Sequence, residues 1–463
     1  MNRLRFWNHS ASNPSGHRRR WLRAMGATTA AGLLGGASIN SLAIDSSYKA
    51  LLVIHLNGGN DGNNMLIPSD AAYGDYEYSR QNLAIPRRSL VSLSGSTAGH
   101  SFGLHPALAP LAALYEQRRL AFIPNVGPLI EPATAEKVIN NQVRLPPFLL
   151  SHNDQTSMVQ GWLAQEDNSG WAGRALELMP SALRHPINAV TMDTNRTLVL
   201  GKNTPVSFMV PGGGGRWGPA DLAHPETAAA QAIIRMGRWQ FNNAYEAEYA
   251  RTFGNAVNDS VRFTRAFLAA SEPEADFGPQ SNGLSGNLRA LASVLPVFKS
   301  QGLRRQVFLL HWGGFDTHAN QRGTTMNTQD AQFADLARAL AAFDYTNLRN
   351  GLGGDVLTLV ISEFGRTLRP GSGGGSEHAW GSHWMAIGGM VQGGSVIGRF
   401  PDLTLGGVDD GDLGRNGRHV PFISSDQVGA SAMLWMGLGS DQLVKAFPYL
   451  ANFQNKTIPL IQS

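Results

Sequence analysis

Apolar positions in this chain gather in unbroken blocks of strand length instead of alternating with polar ones. Tyr48 to Leu56 (YKALLVIHL) is the first, closed by the turn-rich Asn57-Gly-Gly-Asn-Asp-Gly-Asn63. Arg119 to Val126, Gln306 to Trp312 and Asp355 to Ser362 repeat the pattern. Such runs bounded by turn residues are how strands buried on both faces of a parallel sheet read. Between them the spacing turns helical, from Leu104 to Gln117 after His105-Pro106 and from Thr328 to Phe343. Strand, helix and strand in that order predict a parallel α/β sheet with right-handed crossovers. Residues 186–302 break the pattern. They predict a short hairpin-like part from Val190 to Val210 and then long helices, an insertion or cap on one α/β domain running over 44–463. Val420 to Gly437 predicts a closing helix.

The first 43 residues stand apart. They hold six arginines and no acidic residue, followed by a mildly apolar stretch from Ala24 to Ala43. A basic segment leading into an apolar one is the layout of an export signal. His17-Arg-Arg-Arg-Trp-Leu-Arg23 matches the twin-arginine pattern, and Ser41-Leu-Ala43 offers small residues for cleavage after Ala43. The expectation is export through the twin-arginine translocase, cleavage by signal peptidase and a periplasmic location, with an uncleaved anchor as the alternative. The stretch is at the short end for spanning a bilayer, and no later run of 18 apolar residues occurs, so the mature chain is expected not to span a membrane.

That segment also explains the charge. The whole chain carries +4, but six of its 38 basic residues and none of its 34 acidic ones precede residue 44, leaving a net charge of −2. No dense Lys/Arg run argues for nucleic acid. Cysteine is absent, which excludes disulfides, thiolate nucleophiles and cysteine-held metals, so any metal must sit on His, Asp or Glu.

Ligands of open α/β sheets bind beyond the carboxyl ends of the strands. Here Asp61 follows the first strand, Gly313-Gly-Phe-Asp316-Thr-His318 follows the Gln306 strand, and Glu363 follows the Asp355 strand in Ser-Glu-Phe-Gly-Arg366. Beyond the Gly371–Gly375 loop come His378 and His383. Asp61, Asp316, His318, Glu363, His378 and His383 form a mixed oxygen and nitrogen set suited to one or two divalent ions, zinc, manganese or iron. Each has a plain alternative: Asp61 a turn residue, Asp316 a loop cap, His318 a structural histidine, Glu363 an ion pair with Arg366, and His378 and His383 surface histidines. Leu150-Ser151-His-Asn-Asp154 reads as a helix-opening sequence, with Ser151 a candidate nucleophile and His152 or Asp154 a candidate base or ligand; a simple cap is the alternative. No Gly-x-Ser-x-Gly, phosphate-loop or His-Glu-x-x-His motif is present, and no Gly-x-Gly-x-x-Gly directly follows one of the apolar strand runs.

The blocks LLVIHLNGGNDGNNMLIP, SHNDQ, GWAGRAL, GGFDTHANQ, LTLVISEFGRTLRP and EHAWGSHWMAIGGMVQGGSVIGRFPDL resemble the bacterial domain-of-unknown-function family numbered 1501. That family looks like a branch of the alkaline phosphatase and sulfatase superfamily. The resemblance implies a doubly wound, mostly parallel sheet with an inserted mainly helical segment. It also implies metal at the strand ends: Asp61, Asp316, His318, Glu363 and His378 or His383 as ligands, with Ser151 in the nucleophile region. The function expected is an exported metal-dependent hydrolase or transferase acting on a phosphate or sulfate ester, with Arg366 steadying the anionic group. A small anionic ester or an envelope glycan is the expected substrate. The alternative is a non-catalytic exported binding or assembly protein that keeps the fold.

Overall fold

The computed structural model describes residues 45–161, 168–209, 224, 226–279 and 282–462. The twin-arginine segment and the cleavage point after Ala43 lie outside the described residues. Asp45 to Gln462 form one unit built on a nine-stranded mixed sheet. Its strands are β1 Lys49–Leu56, β2 Leu120–Gly127, β3 Ala189–Thr191, β4 Val206–Phe208, β5 Arg305–Trp312, β6 Val356–Ser362, β7 Ser382–Ile387, β8 Ser395–Val396 and β9 Ile423–Ser424. The helices of eight residues or more are α1 Tyr73–Arg80, α2 Ala109–Glu116, α3 His152–Val159, α4 Trp171–Leu178, α5 Ala228–Met236, α6 Ala244–Ala269, α7 Gly283–Ser300, α8 Gln329–Arg349 and α9 Ser425–Trp435.

The order across the sheet is β8-β2-β7-β6-β1-β5-β3-β4, with β9 alongside the end of β2. Within this sheet, only β7 runs antiparallel to its neighbours among the described strands. The unbroken apolar runs follow from burial on both faces. Leu52, Ile54 and Leu56 of β1 enter one core layer with α2, α7 and α8, while Leu51 and Val53 enter the other with α4 and α9. Burying a Leu or Ile side chain contributes about 1.5–3 kcal/mol, so a polar register at these positions would forfeit both layers.

The sheet's register positions the site. β1 pairs with β5 from Lys49↔Arg305 to Leu56↔Trp312 and with β6 up to Leu56↔Ser362. Three adjacent strands therefore end level, and the loops carrying Gly58, Asp316 and Glu363 leave one edge together.

The structure departs from the sequence pattern in two places. The stretch expected to be a hairpin at Val190 to Val210 is instead the parallel pair β3 and β4, added to the edge of β5. Within 186–302, part of the chain thus extends the main sheet, and α7 packs into the core through Leu284, Leu288 and Leu291. The Leu104 helix begins only at Ala109, after a short strand, Phe102–Leu104, and a 3-10 turn at Pro106.

One buried carboxyl gives the fold a pH dependence. Burial pushes Asp426 of α9 up from 3.8 to about 7, against a partial opposing pull from Arg174. Between those values the folded chain holds a proton that the unfolded chain has released, so this group's contribution makes stability fall as pH rises through the window. Asp426→Asn is expected to add roughly 1–3 kcal/mol at pH 8 and almost nothing at pH 4. Denaturant melts at the two pH values check this; an equal change at both would refute it.

Candidate metal centre

Helix α3 begins at the edge where β1, β5 and β6 end. Ser151 is its N-cap and His152 its first residue. The preceding Leu150 holds φ +73°, a costly conformation for a residue with a side chain. Its N–H donates to Gln155 Oε1 at 2.5 Å, and its carbonyl accepts from His378 Nδ1 at 2.8 Å. The strained turn thus serves to aim a carbonyl at a histidine from another part of the chain.

Three histidines are oriented by the same logic. His152 Nδ1 lies 2.8 Å from Glu363 Oε1, His318 Nδ1 lies 2.7 Å from Glu377 Oε2, and His378 Nδ1 faces the Leu150 carbonyl. Carbonyls and carboxylates only accept, so each Nδ1 carries a hydrogen, and a ring that is neutral then has its lone pair on Nε2. All three Nε2 atoms meet at Asp316. His318 and His378 approach its Oδ1 at 2.9 and 3.1 Å, and His152 approaches its Oδ2 at 3.4 Å. His318 Nε2 and His378 Nε2 stand 3.0 Å apart.

Electron-pair donors crowded in this way repel unless protons or a cation lie among them, and the Arg366 guanidinium already meets Asp316 Oδ1 from behind. Ligand atoms of a tetrahedral ion with bonds of about 2.0–2.1 Å sit roughly 3.4 Å from one another. The contacts of His152 and His378 with Asp316, 3.4 and 3.1 Å, are close to that. His152, Asp316 and His378 each offer a ligand atom, and these lie within 4.8 Å of one another. Two imidazoles and one carboxylate suit zinc, manganese or iron better than calcium, so His152, Asp316 and His378 fit a divalent metal, with His318 beside the last two. Asp316 and His318 are each close to half exposed, which leaves the centre open to solvent.

Glu363 stands one layer behind. It is buried, and both oxygens are taken: Oε1 by Gly58 N–H at 2.7 Å and His152, Oε2 by His55 Nε2 at 3.2 Å and the Ser362 hydroxyl at 3.1 Å. Burial pushes its carboxyl up, but the hydrogen bonds from His152 and His55 outweigh this and hold it well below the usual range. The His152 ring is raised by its bond to that carboxylate. Burial likewise pushes Asp316 up, yet the Arg366 guanidinium, joined by His378 and His152, brings it down to about 2. Gly58 makes this packing feasible: it holds φ +115°, and a Cβ there would lie 2.3 Å from the Asp316 nitrogen.

The remaining expected residues correct the reading of the sequence. Arg366 is not exposed to steady an anionic substrate group; its charge is taken up by the Asp316 carboxylate. It is buried, with Nε on the Gly59 carbonyl at 3.0 Å, Nη1 on the Ser376 carbonyl at 2.7 Å and Nη2 on Asp316, Gly58 and Phe315, so it braces the loop that presents Asp316. Asp61 does not join the centre; it forms a fully buried ion pair with Arg80 and accepts from Gln321 Nε2 at 2.5 Å. His383 points into the core, where its Nδ1 accepts from Asn125 N–H at 3.3 Å and burial lowers its pKa to about 3. Ser151 adjoins the centre and donates to Asp154 Oδ2 at 2.5 Å. The sequence had offered His152 only as one option beside Ser151 and Asp154; Glu377 and His55 carried no signal, because an exposed acid and a lone histidine in an apolar run are common.

The family described as "Protein of unknown function (DUF1501)" matches residues 48–416. No curated protein matches. Solved structures similar to this chain include the lipoteichoic acid synthase LtaP from Listeria monocytogenes, at 10% identity and TM-score 0.26, covering 69% of this chain. This chain spans 57% of the length of that synthase. The PsFucS1 sulfatase from Pseudoalteromonas sp. is similar at 10% identity and TM-score 0.32, covering 85% of this chain and 72% of its own. The soluble domain of lipooligosaccharide phosphoethanolamine transferase A from Neisseria meningitidis is similar at 11% identity and TM-score 0.24, covering 74% and 77%.

Proposed function

We infer that this chain, which belongs to the DUF1501 family of proteins of unknown function, is an exported metal-dependent hydrolase or transferase acting on a phosphate or sulfate ester, built on a sheet of the alkaline phosphatase and sulfatase type. The observation that carries the reading is the convergence of three histidine Nε2 atoms on a half-exposed carboxylate at level strand ends. A centre meant only to brace the fold would be closed off from water; this one is open. The ion supplies Lewis-acid polarisation of an ester oxygen and offsets its negative charge when bound.

The chain's own residues do the rest. His152, His318 and His378 arrive with their tautomers already fixed, so little reorganisation accompanies ligation. The first-turn amides of α3 add partial positive charge at the same place, which favours an anionic group. Ser151 holds its proton against Asp154, the arrangement of a hydroxyl next to a base that can remove that proton. Export through the twin-arginine route, after folding and metal loading, and action on a small anionic ester or an envelope glycan in the periplasm complete the proposal. No helix among the described residues is long and apolar enough to cross a membrane.

The test is turnover of an aryl phosphate and an aryl sulfate by the zinc- and manganese-loaded protein beside Ser151→Ala and His152→Ala. Turnover of either ester, lowered at least about 100-fold in His152→Ala, supports the reading; a Ser151→Ala loss of similar size assigns the nucleophile, and an unaffected Ser151→Ala assigns attack to water. Absence of turnover on both esters, with metal bound, would favour a binding protein instead.

A further inference from the structure

Behind the centre, the core layer between the sheet and α3 contains polar groups where apolar ones would pack. His55 of β1 and His311 of β5 are register partners, both buried, with ring centroids 5.0 Å apart. Gln160, the residue that ends α3, is buried against them. Unpaired polar groups in such a place are costly, so the pattern of their bonds is informative.

Gln160 Oε1 accepts from the Leu198 N–H at 3.2 Å. That contact fixes which way the amide faces and turns its nitrogen to the two rings, 3.5 Å from His55 Nδ1 and 3.0 Å from His311 Nε2. An amide NH2 only donates, so both ring nitrogens present lone pairs. For His55 the hydrogen must then lie on Nε2, where it meets Glu363 Oε2. For His311 it lies on Nδ1, facing Asp193 Oδ2 at 3.6 Å. Burial and the neighbouring His55 lower the His311 pKa to about 3, which agrees with a neutral ring that accepts.

We propose that Gln160 is a positioning residue: through His55 and Glu363 it sets which ring nitrogen His152 presents to the centre. With Oε2 of Glu363 occupied by the His55 N–H, Oε1 remains for the Gly58 N–H and His152 Nδ1–H. If His55 took the other tautomer, Oε2 would face a lone pair and the Glu363 carboxylate would turn away, releasing His152. A backbone amide at Leu198 thereby determines the orientation of a histidine at the strand ends. The functional meaning rests on His152 being a metal ligand, but the tautomers are properties of the metal-free chain.

The experiment is histidine ring 15N NMR on the metal-free full chain and on Gln160→Glu, which keeps the shape but replaces the donating NH2 by an acceptor. Zinc affinity is measured on both by competition with a chelator. The wild type is expected to show His55 as the Nε2–H and His152 as the Nδ1–H tautomer. In Gln160→Glu, His55 shifts to Nδ1–H, His152 loses its single tautomer, and zinc affinity falls about 10-fold. Gln160→Met, which removes donor and acceptor together, gives mixed tautomers at both rings. Unchanged His152 tautomers in either folded variant would overturn the proposal. A wild type that binds no zinc but shows the expected tautomers and their shift would sink the metal reading alone.

Discussion

Asp316→Ala is expected to leave the purified protein without bound divalent metal, with an affinity loss well beyond the 10–100-fold that removing a supporting group causes. Among the described residues, Asp316 is the only carboxylate at which the Nε2 atoms of His152, His318 and His378 meet. Removing it deletes the anionic ligand and leaves imidazoles alone. It also frees the Arg366 guanidinium, whose charge then faces the vacated position. Glu363→Gln provides the contrast. An amide oxygen can still accept from His152 Nδ1, but the charge that makes His152 a stronger ligand is gone, so the expected loss is about 10-fold to 100-fold. Metal analysis of the purified proteins and chelator competition measure both. Equal, complete loss in the two variants would put Glu363 on the ion itself; retention of metal by Asp316→Ala would remove this centre from the protein.

How much of this was readable beforehand depends on whether the signal was local. β1, β2, β5 and β6 announce themselves because strands buried on both faces carry apolar residues at every position, and Asp316, His318 and Glu363 were found because they directly follow such strands. His378 came from the same edge by its loop. Direction of a side chain is a different matter. Asp61 and His383 also lie near strand ends, yet one turns toward Arg80 and the other into the core behind Asn125; the deciding partners are 19 and 258 residues away. The parallel pairing of β3 with β4 was hidden for a related reason, since strands of three residues carry too little pattern to reveal that the edge of β5 recruits them. His55, Gln160 and His311 were unreadable singly, because each looks like an isolated polar residue until the register of β1 and β5 places them together.

Arg80→Ala is expected to cost roughly 3–5 kcal/mol while leaving metal content unchanged. Arg80 and Asp61 are both fully buried, and Arg80 also donates to Asn64 Oδ1 at 3.1 Å and to the carbonyls of Thr367 and Leu368 at 2.8 and 3.2 Å. Removing the guanidinium leaves the Asp61 carboxylate in the core with only Gln321 beside it, and an uncompensated buried charge is the expensive outcome. The loss is a large share of the 5–15 kcal/mol that keeps a typical domain folded. Asp61→Asn should also destabilise, and the Arg80→Met and Asp61→Asn pair together should cost less than the two changes added, because the charges disappear jointly. Denaturant melts of the four proteins measure the coupling, and metal analysis of each separates stability from ligation. Since Asp61 also carries an Oδ1 with no hydrogen-bond partner, its variant is the sharper test. Loss of metal in Asp61→Asn without loss of stability would return it to the ligand set, whereas loss of stability with metal retained identifies it as the anchor that holds the first loop in place.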